Sequence, residues 1–246
     1  MKCIFLAAGY ATRLYPLTEN LPKPLLTIAG KSILDWLLED IHASGLVDEY
    51  IVISNHKFAG HFQAWANARP QRITVVDDGT SINETRLGAV RDICFAIDQL
   101  HLDDDLLVLA GDNVLDFSLV TFIRYAIEKD TSCVMRYYEP DEQRLRKSGV
   151  SVIDENEVLL ELEEKPAAPK SHWCTPPFYF YKAADAKRIR DAIADGCGTD
   201  APGSLVAWMC RHATLHSMEM PGSRYDIGNL ESYRRVQETY RGIVKP

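Results

Sequence analysis

Short apolar runs alternate with longer amphipathic stretches through the first half of the chain. The runs are rich in Val, Ile and Leu and cover residues 2–7, 49–54, 72–76 and 105–110. Each run is continuous rather than alternating, which is typical of strands buried on both faces of a parallel sheet. The amphipathic stretches have apolar positions at helical spacing and cover residues 31–44, 57–68 and 85–99. This order predicts a doubly wound, mostly parallel α/β sheet with right-handed crossovers.

After residue 130 the pattern changes to strands that are closer together in sequence. The strand-like segments are residues 131–139, 149–154, 157–165 and 177–182. The polar residues Asp154–Asn156 join the middle two and predict a hairpin turn. Helices are predicted at about 183–194, 203–212 and 229–240. No linker or repeat separates the halves, so we expect one Rossmann-like domain over 1–246, whose second half, from about 131, adds mixed strands.

Composition narrows the class of protein. Apolar residues make up 46% and charged residues 25% of the 246 residues, close to the globular average. No apolar run approaches the roughly 18 to 20 residues that cross a bilayer, and a net charge of −8 argues against a nucleic-acid partner. The six cysteines are scattered without a C-x-x-C pair, as in a reduced, cytoplasmic protein. We therefore expect no membrane and no nucleic-acid partner.

A long polar loop, residues 7–26, follows the first predicted strand. Ligands of open parallel sheets bind beyond the carboxyl ends of the strands, so this loop is a candidate site. Gly9 permits close approach of a ligand, and Thr12 and Arg13 offer donors to phosphate oxygens. Lys23 is constrained by the prolines on either side of it. An ordinary solvated loop has such residues too, so both interpretations stand on these features alone.

Two common nucleotide-binding loops do not fit this segment. The G-x-G-x-x-G fingerprint is missing, which disfavours an NAD-dependent oxidoreductase. No G-K-[ST] occurs within residues 7–26, which excludes a P-loop in this segment.

The sequence LAAGYATRLYPLTENLPKPLL (6–26) resembles the signature loop of the sugar-1-phosphate nucleotidyltransferases, the family of the glucose-1-phosphate thymidylyl-, uridylyl- and cytidylyltransferases. The similarity extends over about twenty residues of the loop. One position departs from the family pattern, since Ala11 stands where the family commonly has glycine.

Three later segments resemble motifs of the same family and follow in the same order. They are residues 108–117, 162–166 and 224–233. The resemblance implies that Asp112 and Asp226 bind the catalytic Mg²⁺, that Glu164 binds the sugar and that Lys165 binds its phosphate. Each segment alone is also compatible with an ordinary cap or charged turn. Their combination with the signature loop favours the functional interpretation.

The reaction implied by this resemblance is Mg²⁺-dependent transfer of a nucleoside monophosphate from a nucleoside triphosphate to a sugar 1-phosphate, with release of pyrophosphate. Two anions must then be brought together, so positioning and charge neutralisation dominate catalysis. Arg13 and Lys23 would neutralise the triphosphate, and Lys165 would hold the nucleophilic phosphate. Residues 1–130 would form the nucleotide-binding half and 131–246 the acceptor-binding half.

The nucleobase site is where the sequence departs most from the family. Residues 77–90 lack the glutamine that the family often carries in this loop. The nucleotide-binding candidates are Leu6, Ala8, Gly9, Thr12, Asn83, Thr85 and Gly88. Thr85 could equally cap the following helix. The choice between thymine, uracil and cytosine therefore stays open.

The acceptor site is predicted from Gly149, Glu164 and Lys165 together with aromatic residues that include Trp173 and Tyr179. Such aromatics can form core, stack on a sugar or cage a quaternary ammonium. The alternatives are accordingly a cytidylyltransferase for a phosphorylated acceptor such as phosphocholine and a non-catalytic subunit that binds a nucleotide sugar. The oligomeric state stays open, a homo-oligomer included.

Overall fold

Strands and helices alternate along the chain in the computed structural model, which describes residues 1–244. The strands are β1 Lys2–Leu6, β2 Thr27–Ile28, β3 Lys31–Ser32, β4 Glu49–Ser54, β5 Ile73–Asp77, β6 Leu106–Ala110, β7 Asn113–Leu115, β8 Ser132–Tyr138, β9 Gly149–Ile153, β10 Leu159–Glu164, β11 Trp173–Cys174, β12 Phe178–Tyr181, β13 Leu215–Glu219 and β14 Arg224–Asp226. The helices are α1 Ile33–His42, α2 His56–Asn67, α3 Ala89–Leu100, α4 Val120–Lys129, α5 Glu142–Leu145, α6 Ala183–Ala186, α7 Ile189–Ala194, α8 Gly203–Met209 and α9 Leu230–Thr239. Short 3₁₀ turns occupy Thr12–Leu14, Lys23–Leu25 and Asn83–Thr85.

Contacts divide the described chain into two compact units, each assembled from more than one stretch of sequence. The first contains Met1–Arg86, Ala110–Thr121 and the described residues from Pro221 onward, and the second contains Leu87–Leu109 and Phe122–Met220. The expected single domain over 1–246, with halves that meet near residue 130, stays a prediction. Its last two residues lie outside the described part of the chain.

Parallel strands form the sheet of the first unit, in the order β1-β4-β5. Their register pairs Cys3 with Tyr50 and Tyr50 with Ile73. All six residues of β4 are buried, which explains its continuous apolar run. The helices between these strands begin at capped residues, since Ser32 Oγ accepts from the Asp35 amide and Asn55 Oδ1 from the Phe58 amide. The loops that follow the strands therefore start at one edge of this sheet.

A small antiparallel pair, β7 with β14, completes the first unit together with α9. Asn113 lies opposite Asp226 in this pair. Behind it an apolar cluster joins the two strands, α9 and the polar loop; its buried members are Leu14, Leu26, Ile28, Ile33, Val114, Ile227, Val236 and Tyr240. The polar loop and α9 are thus held together by burial of apolar surface.

Mixed strands form the sheet of the second unit, in the order β10-β9-β11-β8-β12-β6. Neighbours in this order are antiparallel, and β13 runs parallel to β8. The predicted hairpin is present, because β9 and β10 pair across a turn in which Asp154 Oδ1 accepts from the Asn156 and Val158 amides. Helix α8 packs against β10.

The predicted α/β fold class is confirmed, with mixed strands in the second half. Most predicted elements agree with the structure to within a few residues at each end. The elements that were not predicted are helices α4 and α5, strands β11 and β13, and the pairs β2–β3 and β7–β14. The predicted helix at 183–194 is divided into α6 and α7. All six cysteines are free thiols in the structure. Among the described residues, no helix has both the length and the apolar character that crossing a bilayer requires.

Candidate active site

The polar loop after β1 presents its predicted phosphate ligands at the surface. Thr12 and Arg13 lie in an exposed 3₁₀ turn, and Gly9 is exposed with open space where a side chain would stand. No described side chain forms a hydrogen bond or ion pair with that of Arg13, so its guanidinium can reach a bound anion. Ala11 precedes the turn with a left-handed backbone, φ 48°, and its carbonyl accepts a hydrogen bond from the Thr18 hydroxyl. Glycine adopts a positive φ without strain, which explains why the family that the loop resembles commonly has glycine at this position.

Lys23 is buried and forms an ion pair with Asp112. It is 8% exposed, and its Nζ lies 2.7 Å from Asp112 Oδ2. Extended backbone at Pro22 and the ring of Pro24 fix the turn that begins at Lys23. Burial by itself raises the pKa of Asp112, but the charge and hydrogen bond of Lys23, with the charge of Arg224, hold that pKa below its usual value. Asp112 is therefore ionised at neutral pH.

Asn113 connects this ion pair to β14. Its Nδ2 donates to Asp112 Oδ1 over 2.5 Å, and its Oδ1 accepts from Arg224 Nη1 over 2.8 Å. Since Asn113 lies opposite Asp226 in the β7–β14 pair, the two predicted metal ligands are one register position apart. Asp226 is exposed. The structure thus brings Lys23 and Asp112 into contact and places Asp226 on the neighbouring strand, one register position from Asp112.

The oxygen donors fit the Mg²⁺ that the resemblance implies. Mg²⁺ prefers oxygen ligands and commonly uses one or two protein carboxylates plus substrate phosphates. Within residues 1–244 no cluster of three or more His, Cys, Asp or Glu side chains is suited to hold a metal, so Asp112 and Asp226 do not belong to a cage made by protein alone. Each oxygen of Asp112 accepts one described hydrogen bond, and its second lone pair would be available to a metal ion.

The other nucleotide candidates of the first unit are at the ends of β1 and β5. Leu6 ends β1 and Ala8 is buried, with its carbonyl accepting from Asn55 Nδ2. Asn83 is half-buried, and Thr85 is exposed and donates to the Ile82 carbonyl. Thr85 does not cap α3, whose N-cap is Gly88.

A turn that the sequence analysis missed is packed against the polar loop. Thr80 donates its amide and hydroxyl to Asp78 Oδ1, and its carbonyl accepts from the His56 amide. The Tyr10 hydroxyl lies 3.5 Å from the Thr80 hydroxyl. The sequence Asp-Asp-Gly-Thr is a typical turn signal, and it could have indicated the turn itself.

Gly88, the predicted nucleotide residue of the second unit, is required by a close backbone approach. It has φ 89°, and a Cβ built there would lie 2.5 Å from the Thr199 carbonyl oxygen and 2.9 Å from Asp200 Cα. The amides of Ala89 and Val90 donate to the carbonyls of Asp200 and Thr199. Any side chain at 88 would therefore break the contact between the start of α3 and the segment before α8.

The acceptor candidates Glu164, Lys165 and Gly149 are adjacent at the end of the β9–β10 pair. Gly149 lies opposite Glu164 in register, and the Lys165 amide donates to the Ser148 carbonyl. Lys165 is exposed with a left-handed backbone, φ 51°, a strained conformation often found at functional positions. Burial raises the pKa of Glu164, and the charge of Lys165 opposes this rise.

The two aromatic candidates have different surroundings. Trp173 is half-buried; its ring packs edge-on to Tyr138, and the Arg136 guanidinium lies 5.2 Å from its centre. Tyr179 is 2% exposed and stacks on Tyr181. Its strand β12 lies between β6 and β8, so the structure places Tyr179 in the core and not on a surface that an acceptor could reach. This corrects its assignment as an acceptor-binding residue.

Comparison with known proteins gives a family and several relatives. A family model described as nucleotidyl transferase matches residues 2–242. The chain is 33% identical over 228 residues to the bifunctional protein GlmU of Methanocaldococcus jannaschii. The aligned region covers 93% of this chain and 51% of that protein. It is 27% identical over 255 residues to a UTP–glucose-1-phosphate uridylyltransferase of Synechocystis sp.. This aligned region covers 99% of this chain and 63% of that protein.

A solved structure shows the same fold. The crystal structure of a UDP-glucose pyrophosphorylase complexed with UDP-glucose has a TM-score of 0.80 to this chain at 19% identity, and 97% of each chain is covered. The chain spans about half to two thirds of the length of the curated relatives it matches first.

Proposed function

Because the chain belongs to the nucleotidyl transferase family, we propose that it transfers a nucleoside monophosphate from a nucleoside triphosphate to a sugar 1-phosphate. An oxygen of the acceptor phosphate attacks the α-phosphorus, the bond from this phosphorus to the bridging oxygen breaks, and pyrophosphate leaves. The products are a nucleoside-diphosphate sugar and pyrophosphate. The named activity of the Synechocystis relative supports a sugar 1-phosphate as acceptor.

The observation that carries this proposal is the buried Lys23 beside the ionised Asp112, at the end of the exposed Arg13 loop. A lysine held at 8% exposure can be desolvated at little further cost when an anion replaces its carboxylate partner. In the proposed reaction Lys23 and Arg13 neutralise the triphosphate and the negative charge that builds up on departing pyrophosphate. The Thr12 hydroxyl donates to the phosphate oxygens, and the absence of a side chain at Gly9 leaves room for the phosphates.

Asp112 and Asp226 would hold Mg²⁺ in this proposal. When bound, the ion supplies positive charge to the phosphate oxygens. Arg224 and Asn113 orient the carboxylate of Asp112, since Arg224 donates to Asn113 and Asn113 donates to Asp112. Asn113 is 1% exposed, so its amide is locked in place and keeps Oδ1 of Asp112 in one orientation.

Residues of the second unit bind the acceptor. Lys165 holds the acceptor phosphate and aligns its attacking oxygen, which converts a bimolecular collision of two anions into an oriented displacement. Glu164 accepts hydrogen bonds from sugar hydroxyls. A quaternary ammonium acceptor is not proposed, because the described contacts of Trp173 already include the Arg136 guanidinium over its ring.

The test is a screen for pyrophosphate release. Four nucleoside triphosphates (UTP, dTTP, CTP and ATP) are each combined with a panel of sugar 1-phosphates and with phosphocholine, with Mg²⁺ or with EDTA. We expect release with at least one sugar 1-phosphate and none in EDTA. Release only with phosphocholine, or binding of a nucleotide sugar without turnover, would reject the proposal.

Two substitutions test the proposed metal ligands. Asp112→Asn and Asp226→Asn each remove a ligand charge and keep the shape of the side chain, so turnover should fall by orders of magnitude while the thermal midpoint stays within a few degrees. Asp116→Asn is the matched control, because Asp116 lies on the same segment but accepts hydrogen bonds from the Ser223 amide and the Tyr225 hydroxyl. Undiminished activity of either ligand variant would contradict the assignment.

A further inference from the structure

The carboxylate of Glu164 lies directly against the first residue of α8, where no side chain fits. A Cβ built on Gly203 would lie 1.9 Å from Glu164 Oε1 and 3.0 Å from Glu164 Cδ. On the opposite strand, a Cβ on Gly149 would lie 3.3 Å from the same Oε1. The carboxylate is therefore placed between two glycines, and the approach to Gly203 is the closer one.

The backbone of Gly203 has no freedom to move away from Glu164. Leu205, Val206 and Met209 of α8 are at most 1% exposed, so the helix is fixed by its packing. The preceding segment is fixed as well, because the amides of Ala89 and Val90 donate to the carbonyls of Asp200 and Thr199. A conflict at Gly203 is thus relieved most easily by the far end of the Glu164 side chain.

We infer that Gly203 is a positioning residue for the acceptor, because its missing side chain is what allows the Glu164 carboxylate to occupy its place at the end of β10. The inference rests on the proposed function, in which Glu164 binds the hydroxyls of a sugar 1-phosphate. Gly203 itself need not touch the substrate. It selects among acceptors by fixing where Glu164 presents its oxygens, so a displaced carboxylate weakens sugar binding and leaves the nucleoside triphosphate unaffected.

Gly203→Ala tests this directly. Gly203 is in a helix and has no positive φ, so alanine adopts the same backbone without strain. We expect the Michaelis constant for the sugar 1-phosphate to rise about tenfold or more, the amount that loss of a hydrogen bond to a charged group gives. The Michaelis constant for the nucleoside triphosphate should stay within about twofold.

Gly60→Ala is the matched control. Gly60 is also helical, in α2, but a Cβ there meets nothing within 4 Å. It should leave both Michaelis constants unchanged. A rise in both constants for Gly203→Ala, or no change in either, would overturn the inference.

A double-mutant cycle with Glu164→Ala separates positioning from general damage. Without the carboxylate, the alanine at 203 has nothing to displace, so adding Gly203→Ala to Glu164→Ala should change neither acceptor binding nor thermal midpoint. If Gly203→Ala fails to fold alone, Glu164→Ala should restore folding. Equal damage by Gly203→Ala in both backgrounds would overturn the inference. Inactivity of the unmodified protein on every substrate pair would reject the proposed function instead, while the thermal midpoints of the four proteins would still test the contact.

Discussion

At the residue scale, two of the six described non-glycine residues with a positive φ belong to the candidate site. Ala11 and Lys165 both have left-handed backbones, with φ of 48° and 51°. Such conformations are costly for residues other than glycine and persist where neighbouring contacts hold them. The Thr18 hydroxyl and the Leu14 amide both donate to the Ala11 carbonyl, and the Lys165 amide donates to the Ser148 carbonyl. These hydrogen bonds hold the strained backbone in place beside Arg13 and at Lys165.

The first prediction at this scale concerns Ala11. Ala11→Gly should raise the free energy of unfolding by about 1 kcal/mol, because glycine adopts a positive φ without strain. The corresponding shift in thermal midpoint is about +2 to +4 °C. Ala64→Gly is the control of opposite sign, since Ala64 is exposed inside α2 and glycine there costs about 1 kcal/mol. A lower midpoint for Ala11→Gly would contradict the strain at Ala11.

The second concerns Lys165. In the proposed reaction Lys165→Ala leaves the acceptor phosphate without its counter-charge, so the Michaelis constant for the sugar 1-phosphate should rise steeply and kcat should fall as well. The constant for the nucleoside triphosphate should change much less, because the proposal assigns that substrate to Arg13, Lys23 and the metal. Steady-state kinetics with each substrate varied in turn measure both. Lys147→Ala, at an exposed lysine of the neighbouring turn, is the control. Equal changes in both constants would remove Lys165 from this role.

At the element scale, short segments position the carboxylates. β14 presents Asp226 opposite Asn113, and α9 begins immediately afterwards at a capping box. In this box Asn229 Oδ1 accepts from the Ser232 amide over 2.8 Å, and Ser232 Oγ accepts from the Asn229 amide over 3.0 Å. The box satisfies donors at the start of α9 that would otherwise lack partners. Helix α9 in turn buries Val236 in the cluster that supports the polar loop, so the cap anchors the segment that carries Asp226.

Asn229→Ala tests this role of the cap. Loss of the side-chain acceptor should lower the free energy of unfolding by about 1 kcal/mol, which corresponds to about 2 to 4 °C in the thermal midpoint. Asn67→Ala is the control: Asn67 is exposed at the end of α2 and its described side-chain bond is to Gln63 alone. An equal loss in the two variants would show that the capping box adds nothing.

At the scale of the whole molecule, stability depends on buried titratable groups as well as on apolar packing. Burial, together with the charge of Lys129, lowers the pKa of His216 below its usual 6.5, against the opposing charges of Glu157 and Asp154. His216 lies on β13, and its Nδ1 is 2.8 Å from the Thr131 hydroxyl. Just below pH 6.5, His216 therefore binds a proton in the unfolded chain but not in the folded chain. This contribution to stability is complete above pH 6.5 and is lost as pH falls toward the lower folded pKa.

His216→Asn should flatten that part of the profile. Asparagine keeps a polar atom for Thr131 but does not titrate, so its thermal midpoint should fall less than that of the unmodified protein between pH 7 and about pH 5. Calorimetric scans of both proteins across this range give the comparison. Two curves that stay parallel throughout would contradict the contribution of His216.

The sequence by itself determined the elements and the chemistry of the polar loop. Continuous apolar runs predicted β1, β4, β5 and β6, and apolar positions at helical spacing predicted α1, α2 and α3. These signals are local, because strand burial, helix periodicity and capping depend on residues only a few positions apart. The resemblance of the polar loop to the family signature indicated Arg13 and Lys23.

Only the tertiary structure decided which of these residues meet. Lys23 and Asp112 are 89 positions apart, and Asn113 and Arg224 are 111 positions apart. Their contacts depend on strand order and register, which a local pattern does not specify. Tyr179 is a second example, because an aromatic residue is compatible with a sugar site and with a core. The position of β12 between two strands decides for the core. Gly203 is a third example, because nothing in its own segment indicates that the Glu164 carboxylate occupies the space beside it.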